Sequence, residues 1–189
     1  MFAVAFDLDG TLARSTGPAD AVALGFVADI GLDPPRSAAA QELEPAPGAL
    51  RVVRELEALG VPLAALAAGP AEDARRRAEL VWFRGPVVTG EFPGGVPEAA
   101  AFAEICARFG LPAECVWYVT ARSEADARAA WAAGLQAVLV DPAGPEPAPD
   151  DRGLRRAKTL EGVLELLRAP YTRSVLNIRY LLRTVLEWN

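Results

Sequence analysis

"FAVAFDLDGTL", residues 2–12, joins a continuous apolar run to two aspartates, a glycine and a threonine. The run Phe2 to Phe6 has no polar alternation, so it reads as a strand buried on both faces, the pattern of a parallel sheet. Asp7 follows the strand directly, with Asp9 two residues on and Gly10 placed for a sharp turn. Residues 7–16 read as a loop. Ligands of open parallel sheets bind outside the carboxyl ends of the strands, so Asp7 stands where such a site belongs.

Outward from this stretch, strands and helices alternate. Residues 19–31 and 36–43 read as two short helices separated by Pro34 and Pro35. Leu50, Val53, Leu56 and Leu59 are spaced for a helix that stops at Gly60. "VPLAALA" is a second buried strand, residues 71–80 a helix, and "PVVTG" a short strand. A helix over 97–109 closes at Gly110 and is followed by the strand "CVWYV". A helix over 124–133 ends at Gly134, ahead of the strand "QAVLV". "DPAGPEPAPDD", residues 141–151, is a Pro-rich acidic loop, and residues 159–168 are helical. The alternation predicts an α/β fold, a Rossmann-like parallel sheet with helices on both faces.

The whole chain narrows the chemistry. Its 189 residues suffice for one self-sufficient core, which buries roughly 70% of the unfolded surface at this size. A net charge of −6 leaves no basic excess for nucleic-acid phosphates or an anionic membrane surface. No segment reads as a signal peptide or a membrane span, so a cytoplasmic location is expected. There is no histidine, which removes His general bases, Ser-His-Asp and Cys-His sites and the common zinc sites. Cys106 and Cys115 make neither a metal spacing nor a disulfide framework. Catalysis would have to use carboxylates, hydroxyls, backbone amides, Lys or Arg.

"DLDGTL", in this order of strands and helices, resembles the haloacid dehalogenase-like superfamily of phosphohydrolases. The resemblance covers nearly the whole chain to about Leu167 and includes "EPAPGALRVVRELEALGVPLAALAAG", "VVTGEFPGGVPEAAAFAEICARFGLPAECVWYV" and "AAGLQAVLVD". It implies that Asp7 attacks phosphorus to form a phosphoaspartate, splitting one hard displacement into two easier ones. It implies that Asp9 is the general acid and then the base. Gly10 and Thr11 would shape the phosphate-binding turn. Asp7, Asp9 and Asp126 would hold Mg²⁺.

The chain departs from the family at three other motifs. Ala67 stands in place of the second-motif Thr or Ser, Val96 in place of the third-motif Lys, and Ala121 in place of the first metal-binding Asp of the fourth motif. Mg²⁺ wants a near-octahedral shell of oxygens, so losing a carboxylate weakens its site. Phosphoryl transfer depends on positioning and charge neutralisation, and one oxyanion donor alone is worth about 10²–10³ in kcat. Arg14 and Arg122 are the substitute cations able to face a phosphate. Glu124 is a further metal-ligand candidate, while Lys158 reads as solvated.

Together these features predict a catalytically impaired or inactive hydrolase-fold protein that binds a phosphorylated ligand or a protein partner. The alternative is a Mg²⁺-dependent phosphatase using Asp7 and Asp9. A metal-independent dehalogenase is disfavoured by the presence of Asp9 and the loss of the Lys. Residues 1–168 are expected to form the core domain, with a reduced helical cap over 14–44. Residues 169–189 read as an amphipathic C-terminal helix, with Val175, Ile178, Leu182 and Val185 on one stripe. That stripe would pack on the domain or mediate a homodimer.

Overall fold

The computed structural model describes residues 2–15, 43–90, 92, 95–144 and 154–167. Most of the expected cap and all of the expected C-terminal helix lie outside these residues.

A six-stranded sheet organises the chain. Its strands are β1 (Ala3–Asp7), β4 (Leu63–Ala68), β5 (Val87–Gly90), β6 (Val116–Thr120), β7 (Gln136–Val140) and β8 (Leu154–Ala157). Their order is β5-β4-β1-β6-β7-β8 and every pairing is parallel. From β1 the chain runs outward through β4 and β5, then returns to the other flank of β1 for β6, β7 and β8. The gap between β1 and β6 is therefore the topological switch point, where ligands of such sheets bind.

Side-chain alternation along the strands divides the core in two. Val4 and Phe6 of β1, Ala65 and Ala67 of β4, and Trp117 and Val119 of β6 face one way. They meet α1 (Ala49–Ala58), α2 (Ala71–Leu80) and a helix, α5, whose described residues are 160–167. Ala5, Leu66 and Tyr118 face the other way, against α3 (Ala99–Phe109) and α4 (Glu124–Ala132). On α1, Val52, Val53 and Leu56 recur at helical spacing and are fully buried or nearly so. Each such burial is worth roughly 1.5–3 kcal/mol. The helix stops where expected: Gly60 takes φ 68, and its N–H and that of Val61 close on the Glu57 and Leu56 carbonyls.

Three short elements differ from the sequence reading. Ala13–Ser15 forms a strand, β2, inside the expected loop, and pairs antiparallel with β3 (Leu43–Pro45). Leu43 is therefore extended and not the end of a helix. Strand β8, "LRRA", was not anticipated; Leu154 and Ala157 are buried while Arg155 is exposed. All three are shorter than the window in which periodicity is readable, and tertiary pairing makes them strands. Among the tryptophans, Trp117 is in the core, whereas Trp82 and Trp131 are exposed.

Candidate active site

The carboxyl ends of β1, β4 and β6 converge around the turn after β1. Asp7 is the last residue of β1 and is buried, on the α3/α4 side of the sheet. The turn is held by backbone bonds from Leu8 N–H to the Leu66 carbonyl (2.8 Å), Gly10 N–H to Ala13 (2.7 Å) and Ala13 N–H to Leu8 (2.9 Å). Gly10 sits at φ 78, a left-handed conformation that residues with a Cβ rarely adopt. Thr11 is buried; its hydroxyl accepts from the Ala121 N–H at 2.7 Å and so ties the turn to the end of β6.

Among the described residues, three carboxyl groups and two guanidinium groups occupy this end of the sheet. The Thr120 hydroxyl lies 3.4 Å from Asp7 Oδ2 as a donor. Arg122 Nε lies 4.0 Å from the same Asp7 oxygen and 3.3 Å from Oδ2 of Asp126. The other end of Arg122 donates to the Gly95 carbonyl, beside Val96. Asp126 sits in the first turn of α4, whose N-cap Ser123 accepts from its N–H at 3.1 Å. Its side chain is buried, unlike that of a surface residue chosen only for the helix dipole. Arg122 is its ionic partner, and the Ser123 hydroxyl also favours its charged form.

Asp9 is held by a residue the sequence reading missed. Arg77, on α2, places Nε 2.8 Å from Asp9 Oδ1 and Nη2 2.8 Å from the Ala68 carbonyl. The Ala68 N–H also donates to Asp9 Oδ2, at 3.3 Å. Ala67, in the place of the expected hydroxyl residue, is buried just before it. No local signal marks Arg77, because 68 residues separate it from Asp9. Tyr118, within the apolar run of β6, carries no sequence signal of a site either. Its ring packs edge-on to Phe102, centroids 5.0 Å apart, and its hydroxyl is buried beneath the acidic cluster.

The electrostatics follow from burial. Desolvation pushes the Asp7 carboxyl up from 3.8 to about 8; Asp9 and Asp126 add to the rise, while Arg122 and the Thr120 hydroxyl oppose it. Burial also raises Asp126 and Tyr118.

The remaining candidates are directed elsewhere. Arg14, half exposed, pairs with Glu44 across β2 and β3 at 2.5 Å. Glu124 pairs with Arg128 and with Arg156 of β8, and Lys158 donates to the Gly144 carbonyl. The structure thus brings Asp7, Asp9, Gly10, Thr11, Arg122 and Asp126 together, and pairs Arg14 and Glu124 with other residues.

The chain belongs to the haloacid dehalogenase-like hydrolase family, whose model matches residues 35–134. Its fold is shared by an L-2-haloacid dehalogenase (TM-score 0.67, 18% identity, 89% of this chain and 99% of that one). It is also shared by a phosphatase of the family from Thermococcus onnurineus (TM-score 0.65, 17% identity, 88% and 98%). A putative beta-phosphoglucomutase from Thermotoga maritima gives a TM-score of 0.61 at 17% identity over 89% and 99% of the two chains. No curated protein matches the sequence.

The superfamily typically uses Mg²⁺, and the residues at this sheet end do not fit that ion. Ala121 offers no carboxylate, and a guanidinium stands between the carboxyl groups of Asp7 and Asp126. Among the described residues, no group of three or more His, Cys, Asp or Glu side chains is arranged to hold a metal. No described helix is long and apolar enough to cross a membrane.

Proposed function

We propose that this chain is a catalytically silent member of its family, which recognises a phosphate-bearing ligand at the β1–β6 switch point without cleaving it. The observation that carries this reading is the capture of Asp9. The residue that would protonate the leaving group and then activate water has its oxygens engaged by Arg77 and the Ala68 N–H. The expected nucleophile is compromised as well. With its pKa near 8, Asp7 is largely a neutral carboxylic acid at pH 7, and a neutral acid is a poor nucleophile. Ala67, Val96 and Ala121 remove a hydroxyl, an ammonium and a carboxylate from the same site. Arg77 and Arg122 remain partly exposed, with side chains 18% and 28% accessible, and supply the positive edge that an anionic ligand needs.

A second reading, a Mg²⁺-dependent phosphatase acting through Asp7 and Asp9, is favoured by the intact turn that holds both aspartates at the sheet end. Hydrolysis of p-nitrophenyl phosphate in Mg²⁺ separates the two. The silent reading expects wild-type protein to match Asp7→Asn. It expects turnover only after Ala67→Thr, Val96→Lys, Ala121→Asp and Arg122→Ser are combined. Wild-type turnover that disappears in Asp7→Asn would establish the phosphatase instead. Inorganic phosphate should raise the melting temperature of the wild type and not that of an Arg77→Ala, Arg122→Ala double variant.

A further inference from the structure

Arg122 has features that a surface arginine lacks. Two glycines of positive φ lie against it, one at the stem and one at the guanidinium: a Cβ on Gly10 would lie 3.3 Å from Arg122 Cγ, and one on Gly95 would lie 3.1 Å from Nη2. The side chain therefore lies in a slot that residues with a Cβ would narrow. At its end, the Gly95 carbonyl takes one nitrogen and the Asp126 carboxylate faces another. Asp126 is 1% exposed; Arg122 and the Ser123 hydroxyl both favour its charged form, and Arg122 is the cation facing it. A buried carboxylate with one ionic partner depends on that partner.

From this geometry we infer that Arg122 is the resident cation of the pocket, a fixed guanidinium 4.0 Å from Asp7 that takes over from a divalent ion the neutralisation of Asp126 and keeps metal out. The inference deepens the silent-site reading by naming the group that makes the site metal-independent. A fixed guanidinium differs from Mg²⁺ in a way that matters for the ligand. It donates hydrogen bonds and offers no open coordination positions, so it can orient a bound anion but cannot bridge two oxygens through inner-sphere bonds. A Mg²⁺ ion entering beside it would meet like-charge repulsion in a partly desolvated site.

Mn²⁺ uptake by the full-length chain, read as loss of the free-ion electron paramagnetic resonance signal, tests the inference without any enzymatic readout. Wild type and Arg122→Lys should leave the signal of millimolar Mn²⁺ unchanged. Arg122→Ser should bind one Mn²⁺ at least about tenfold more tightly than wild type, a gain of about 1.4 kcal/mol. Adding Asp126→Asn to it should abolish the uptake. One equivalent bound by wild type and lost in Asp126→Asn would overturn the inference. So would a folded Arg122→Ser chain that binds no more Mn²⁺ than wild type. If the serine variant folds poorly, the uncharged and longer Arg122→Gln is judged by the same criterion. The two readings fail separately: metal-free hydrolysis by wild type would end the silent-site reading and leave this one standing, whereas Mn²⁺ seated at Asp126 in wild type would end this one.

Discussion

Asp7 shows how much a single position owes to its surroundings. Its place at the end of a buried strand is written in "FAVAFD", but its acidity is set first by burial and then by Arg122, Asp9, Asp126 and Thr120 around it. The native state keeps its proton up to about pH 8, whereas the unfolded chain releases it near 3.8. Between those values the native state binds more protons than the unfolded one, so stability falls as pH rises. This group's stabilising contribution is complete below about pH 4 and gone above about pH 8. The slope approaches about 1.4 kcal/mol per pH unit at most. Asp7→Asn should therefore lose less melting temperature than wild type between pH 5 and pH 8, as measured by parallel thermal melts. Superimposable pH profiles for the two proteins would refute this. Asp126, raised in the same direction, contributes the same sign in both proteins and does not mask the difference.

At the scale of elements, the turn after β1, the last turn of α2 and the start of α4 matter most. The turn depends on Gly10 at φ 78, where an alanine meets both left-handed strain and the Arg122 stem 3.3 Å from its Cβ. Gly10→Ala should cost about 1–2 kcal/mol in chemical denaturation from the backbone alone. An unchanged midpoint would show that the turn relaxes freely. The long helices are legible by their period and the central strands by their unbroken apolar runs: the sequence predicts α2 over 71–80 and β7 over 136–140, and both are observed with those bounds. Strands β2, β3 and β8 are not legible, since "ARS", "LEP" and "LRRA" carry no β-branched residue, unlike the equally short "VVTG" of β5, and their extended form comes from pairing. Arg77 illustrates the same limit within a correctly read helix. That α2 is a helix is local information, whereas which residue its seventh position meets depends on how the helix sits on the sheet.

For the molecule as a whole, the sheet shares its two faces with two separate clusters of apolar side chains, so neither layer is independent of the other. Leu56 belongs to the α1 side and Phe102 to the α3 side, both essentially without exposure. Leu56→Ala should cost about 2–5 kcal/mol and Phe102→Ala about 3–5 kcal/mol. Both should move one common unfolding transition, seen identically by near- and far-ultraviolet circular dichroism. A transition that splits in either variant would mean that the layers unfold separately. The sequence by itself determined the alternation of strands and helices and the position of Asp7 at a strand end. These are properties of residue type and spacing along the chain. Only the tertiary structure decided that Arg77 holds Asp9 and that Arg122 lies between Asp7 and Asp126. Charges separated by many residues in sequence, as Arg77 is from Asp9 and Arg122 from Asp7, come within a few ångströms only when helices and loops dock on a sheet, and burial then strengthens every interaction between them.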